Sequence, residues 1–115
     1  MIKLINLVNF FLKRMFSIII PTFNNLNYLK LCLKSIKQNS QYKHEIIIHI
    51  NDGSDGTYNF IKTQNYKFTH SKLNIGLCKA MNSAVKISSK KYIVYAHDDM
   101  YFCPGWDATF LKKSK

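Results

Sequence analysis

Glycine and acidic side chains are scarce in this 115-residue chain, and each shortage removes classes of function. The four glycines form neither Gly-x-Gly-x-x-Gly nor Gly-x-x-x-x-Gly-Lys-Ser/Thr, so the dinucleotide fingerprint and the P-loop are excluded. The three cysteines, Cys32, Cys78 and Cys103, are odd in number, far apart and in no metal-ligand spacing, which argues against a zinc site or a disulfide framework. They read as reduced thiols of a cytosolic protein, with Cys32 and Cys78 expected as small buried hydrophobes. No apolar run is long enough to span a bilayer: residues 4–12 are interrupted by Asn6 and Asn9 and lack a small-residue cleavage site. Flanked by Lys3, Lys13 and Arg14, that stretch suits an interfacial helix at a membrane surface, and the other reading is that Met15 is the true start. Six acidic against 17 basic side chains give a net charge of +11. That balance favours an anionic partner, whether nucleotide phosphate, nucleic acid or an anionic membrane, or else describes a solvated basic surface.

What is present is a repeated alternation of strand and helix within the size of one domain, and 47% hydrophobic residues are enough to build a core. Ile-rich runs over residues 16–20 and 45–50 read as buried strands, each ending in a polar turn. After the first, Leu26, Leu29, Leu33 and Ile36 recur at helical spacing with Asn24 or Asn25 available as N-cap. After the second, Ser54 or Asp55 can cap a short helix over 57–62. A weaker strand over 66–69 precedes a helix carrying Leu77, Ala80, Ala84 and Ile87 on one face, and a clearer strand over 92–96 precedes Pro104 at a helix start. The pattern predicts an α/β fold, an open, mostly parallel sheet with helices on both faces and right-handed crossovers. In such sheets ligands bind outside the carboxyl ends of the strands, and four polar clusters fall there.

The strongest chemical signal among them is His97-Asp98-Asp99. Adjacent carboxylates at the end of a buried strand are costly unless they meet a cation, and a hard divalent ion shared with substrate phosphates suits them. The same pair can instead cap the following turn. Asp52-Gly53-Ser54 is ordinary turn chemistry on its own. Pro21-Thr22-Phe23-Asn24 is ambiguous alone, and Asn74-x-Gly76 with Asn82 can be a turn, a helix start and a surface amide.

In order and spacing, these clusters resemble the nucleotide-binding half of the family 2 glycosyltransferases, which have the Rossmann-like GT-A fold. The likeness spans residues 16–106: Ile19-Ile20-Pro21-Thr22-Phe23-Asn24, Asn51 to Thr57, Asn74-Ile75-Gly76 with Ala80-Met81-Asn82, and Tyr92 to Trp106, where His97-Asp98-Asp99 stands at the family's Asp-x-Asp motif and Pro104-Gly105-Trp106 follows. The resemblance implies that Pro21, Thr22, Phe23, Asn24 and Asp52, with Ser54, line the nucleoside pocket, and that Asp52 accepts a hydrogen bond from the base. It implies that Asp98 approaches the ribose, that Asp99 ligates Mn²⁺ or Mg²⁺ with His97 as a further or outer ligand, and that Asn74, Gly76 and Asn82 shape the wall near phosphates and sugar.

The chain departs from the pattern at Asn51, His97 and Met81, which stand where the family has Asp, Asp and Arg. The resemblance covers about half of the family's catalytic domain, and the acceptor subsite and general base belong to the other half. The expected organisation is an extension over 1–14 and a partial GT-A domain over 15–115. The implied activity is transfer of a sugar, with inversion, from a nucleotide diphosphate sugar to a glycan or lipid-linked acceptor. Cytoplasmic placement with a peripheral membrane contact is expected, and nucleic acid is a poor partner for a carboxylate pair. The competing reading is a non-catalytic, truncated nucleotide-binding or basic anion-binding module.

Overall fold

The computed structural model describes residues 15–113, so the expected extension over 1–14 lies outside the described residues. The elements run β1 (Phe16–Phe23), α1 (Leu26–Asn39), β2 (Glu45–Asn51), α2 (Thr57–Thr63), β3 (Lys67–Ser71), α3 (Leu77–Val85), β4 (Tyr92–Tyr95) and α4 (Trp106–Lys113). The four strands form one sheet in the order β3-β2-β1-β4, and every pairing is parallel.

Alternation along the two central strands builds the two faces. Ile18 and Ile20 of β1 and Ile48 and Ile50 of β2 point to one side, where Leu29, Cys32, Leu33 and Ile36 of α1, Ile61 of α2 and Phe102 meet them. Ile19 and Ile47 point to the other side and pack against Ala84 of α3. The five isoleucines from Ile18 to Ile20 and Ile47 to Ile48 are fully buried, each contributing about 1.5–3 kcal/mol of hydrophobic stabilisation.

Several expectations change. β1 continues through Pro21 to Phe23. Ile19 turns its carbonyl towards β4, accepting from Ala96 N at 2.9 Å. By alternation Pro21 also faces that side, but the β4 pairing ends at Ile19↔Tyr95, so the absent N–H forfeits no ladder bond. Asn25 is the N-cap of α1 but makes no side-chain cap bond; the carboxylate of Asp55 accepts from Leu26 N at 3.2 Å instead. Leu77 and Ile87, expected on a core face, are exposed, and Cys78 is exposed rather than buried, whereas Cys32 is buried as expected. Among the described residues no helix is long and apolar enough to cross a membrane.

Candidate functional site

The carboxyl ends of β1, β2 and β4 bring three of the four polar clusters into direct contact. Asp98, three residues beyond β4, receives Thr22 Oγ1 on Oδ2 at 2.8 Å and Asn25 Nδ2 on Oδ1 at 3.1 Å. Both of its oxygens are therefore engaged, one by the carboxyl end of β1 and one by the turn that follows it.

Asp52 is held in a second cluster. Asn24 Nδ2 donates to Asp52 Oδ2 at 2.9 Å, while Asn24 Oδ1 accepts from Gly53 N at 3.0 Å, so a single amide clamps the β2 turn from both sides. Ser54 Oγ adds a second donor to Asp52 Oδ2 at 3.0 Å. These bonds, Asn24 first and Ser54 next, hold the Asp52 carboxyl below the usual carboxylate range. Asn24 and Asp52 both take the left-handed backbone region, with φ of 46° and 59°. That region suits Asn and Asp better than other side chains, and it is where strain concentrates at functional sites.

Asp55 anchors the start of two helices at once, accepting from Thr57 N at 3.1 Å and Leu26 N at 3.2 Å. Burial alone would raise its pKa, but the backbone amides of Thr57 and Leu26 hold it low.

The third strand end is set by a residue that sequence reading treated only as a departure. Asn51 is buried, and its Oδ1 accepts from Ile75 N at 3.0 Å and Ser71 Oγ at 3.1 Å. It thereby pins the loop in which Asn74 Oδ1 accepts from Gly76 N at 3.0 Å and Gly76 takes a φ of +83°. An Asp here would serve equally as acceptor, so the substitution preserves the loop anchor and lowers the negative charge. Asn74, Gly76 and Asn82 are exposed, and no hydrogen bond among the described residues joins them to Asp52 or Asp98. Asn82 stands on α3, remote in contacts from the carboxylates.

His97 is exposed, with its ring edge-on to Tyr95 at 5.0 Å and its Nδ1 3.3 Å from the Tyr95 hydroxyl. Asp99 is exposed and makes no hydrogen bond with any described residue. Among the described residues no three His, Cys, Asp or Glu side chains are grouped as a metal cage. The donor set nonetheless fits a hard cation held chiefly by ligand phosphates: each oxygen of Asp98 already accepts one bond from the protein, and Asp99 retains its full acceptor capacity. Cys32 lies beneath this loop with Sγ 3.8 Å from the His97 carbonyl. Burial, reinforced by the charges of Asp98 and Asp99, pushes its pKa up to about 12, so it stays a thiol and not a ligand.

Residues 17–115 match the family described as Glycosyl transferase family 2. The chain belongs to the family 2 glycosyltransferases. It is 30% identical over 102 residues to the glycosyltransferase GlyA of Streptococcus pneumoniae, covering 84% of this chain and 14% of that protein. It is 36% identical over 89 residues to the uncharacterized glycosyltransferase RP339 of Rickettsia prowazekii, covering 75% of this chain and 28% of that one. The fold is that of S. aureus TarS 1-349, with a TM-score of 0.73 at 21% identity over 86% of this chain and 32% of that one. The TarS complex with UDP-GlcNAc superposes with a TM-score of 0.72 at 22% identity, over 87% of this chain and 30% of that one. This family 2 chain thus spans under a third of the length of the relatives named here. Its four parallel strands with helices on both faces are the GT-A arrangement its sequence resembles.

A feature outside the site escaped sequence reading. Asp107, in the first turn of α4, is fully buried and accepts from Gln41 N at 3.0 Å, Tyr42 N at 2.9 Å and His44 Nε2 at 2.8 Å. Phe16 N donates to His44 Nδ1 at 3.0 Å, which fixes the proton on Nε2. The pair ties α4 to the start of β1 at the sheet's opposite end. Nothing in the spacing of His44 and Asp107 announces this, because 63 residues separate them.

Proposed function

We propose that this chain is the donor-binding half of an inverting glycosyltransferase that takes a sugar from a nucleoside diphosphate. The observation that carries the reading is the double clamp at the strand ends, with Thr22 and Asn25 on Asp98 and Asn24 on Asp52. Two carboxylates are thereby presented in fixed orientation at the sheet edge where α/β folds bind ligands. Asp52 Oδ2 is occupied by Asn24 and Ser54, leaving Oδ1 to accept an imide or amide N–H of a nucleobase. Asp98 would accept from a ribose hydroxyl on its remaining lone pairs, and exposed Phe23 would line the approach, while Pro21 and Thr22 are buried at the strand end behind it. The pyrophosphate lies towards Asp99, where a Mn²⁺ or Mg²⁺ ion, with His97 beside it, would neutralise the charge of the departing diphosphate. UDP-GlcNAc in the TarS complex supports a uridine nucleotide as the first donor to test.

In the transfer, the acceptor hydroxyl oxygen forms a bond to the anomeric carbon as the bond from that carbon to the diphosphate oxygen breaks, and the hydroxyl proton passes to a general base. The described chain does not hold that base. Of its six acidic side chains, Glu45, Asp52, Asp55, Asp98 and Asp107 are already engaged, and the remaining one, Asp99, serves the diphosphate. The same observation favours a second reading, nucleotide binding without transfer by this chain alone. The acceptor is taken as a glycan or lipid-linked hydroxyl. Helices α1, α2 and α3 carry lysines and no acidic residue, which suits a peripheral contact with an anionic membrane.

Calorimetric titration of UDP and GDP, with and without Mn²⁺, tests the site. Binding is expected to require Mn²⁺ and to weaken about tenfold or more in Asp99→Ala. Binding indifferent to both metal and substitution would remove the reading.

A further inference from the structure

We infer that His70 is a positioning residue for the nucleobase, acting through the backbone of Asp52; this rests on the reading of the site as a nucleoside diphosphate pocket. His70 lies on β3, where neither composition nor spacing marks it. Its Nε2 stands 2.7 Å from the Asp52 carbonyl oxygen. A carbonyl can only accept, so Nε2 carries the proton and donates. The amide of the same residue donates to Ser71 O at 2.8 Å. Both backbone polar groups of Asp52 are therefore held by two successive residues of β3. This hold steadies Asp52 at a φ of 59°, a left-handed conformation that Asp tolerates better than most residues but at some cost.

The exposed ring of His70 packs beside that of Tyr58, with centroids 4.5 Å apart at 37°. Asp52, Ser54, Tyr58, His70 and Lys72 line one cavity of about 250 Å³. Asn24 and Ser54 settle one carboxylate oxygen of Asp52, and His70 and Ser71 settle the main chain from which it projects. The free oxygen is thus aimed by groups on three strand ends, and the base it recognises is one that offers an N–H flanked by carbonyl groups, as uracil does. Rotation of the Asp52 peptide on loss of the His70 bond would swing that oxygen away with no change in the carboxylate's own partners.

The experiment compares UDP affinity by calorimetry, in the presence of Mn²⁺, for the wild-type chain, His70→Phe and His70→Gln, with thermal melts alongside. Phenylalanine keeps a ring against Tyr58 and removes the donor; glutamine places an amide N–H₂ near the Nε2 position. The expected result is a UDP affinity about five- to tenfold weaker in His70→Phe, restored to within about twofold in His70→Gln, with both variants melting within a few degrees of wild type. Selectivity for UDP over CDP should fall in His70→Phe, since cytosine lacks the imide N–H. Equal affinity in wild type and His70→Phe, or equal weakening in both variants, would overturn the role of His70 while leaving the nucleotide site standing. If the wild-type chain binds no nucleoside diphosphate, the site reading fails, and the inference falls with it.

Discussion

Asn24 is the side chain on which most of the donor-site geometry depends, because its amide oxygen and nitrogen are used on the same turn. Sequence reading placed it in the pocket but offered it as a helix cap as well; in the folded chain neither Asn24 nor Asn25 caps with its side chain, since both are directed to carboxylates. Asp52 and Asp98 were legible as site residues, whereas the bonds that orient them were not, because those bonds join residues 28 and 76 positions apart. The structural roles of His70 and Asn51 were hidden for a related reason, although Asn51 stood out as a departure: both act on main-chain groups of other elements, which no spacing rule encodes.

At the same scale, Glu45 makes a pH prediction. Burial would raise its pKa, but the Lys67 ammonium, Ser89 and Ser17 overcome that and bring it down to about 2. A carboxyl whose folded pKa is depressed adds stability above its unfolded pKa and loses it as pH falls through the folded value. Stability should therefore decline between about pH 5 and pH 2, and Glu45→Gln should flatten that limb in urea melts taken across the range.

Among elements, the strands and their order of appearance could be read directly from isoleucine runs and the turns that follow them. The misjudged boundaries share one cause. Pro21 looks like a strand terminator, yet its missing donor faces the side where β4 has already ended, so tertiary context removes the penalty. Leu77 and Ile87 carry a helical period but lie beyond the reach of the four strands, and only Ala80 and Ala84 of that face are buried. The turn after β2 is the element with least freedom. Gly53 has a φ of +85°, and a Cβ there would fall 2.7 Å from Ile50 Cγ2 and 2.9 Å from Tyr58 Cβ. Gly53→Ala is expected to cost about 1–3 kcal/mol and, because Gly53 N binds Asn24, to lower UDP affinity together with the melting temperature. A variant that melts like wild type would contradict this.

Across the whole molecule, charge is segregated. Four of the six carboxylates crowd the carboxyl edge of the sheet, Glu45 is tied to Lys67 at the amino edge and Asp107 is buried, so the remaining described surface carries lysines with no acidic side chain among them. Composition announced the excess but not its placement. A cavity of about 730 Å³ lies at the amino ends of β2 and β3 and is lined by Ile36, Lys43, His44, Glu45, Tyr66 and Lys67, away from the carboxylates of the donor site. The cavity beside Asp52 is smaller, about 250 Å³.

β4 is paired on one side only among the described residues, and Tyr92 and Ile93 are 47% and 45% exposed. In a parallel ladder alternate residues turn both backbone groups to the same neighbour. Ala96 N donates to Ile19 O, so Val94 shares its direction, and Ile93 and Tyr95 face outward. Deuterium uptake along this strand should accordingly form a comb, slow at Val94 and Ala96 and fast at Ile93 and Tyr95, readable residue by residue in NMR spectra. A further strand hydrogen-bonded along that edge, whatever its source, would be reported by the fast teeth becoming slow.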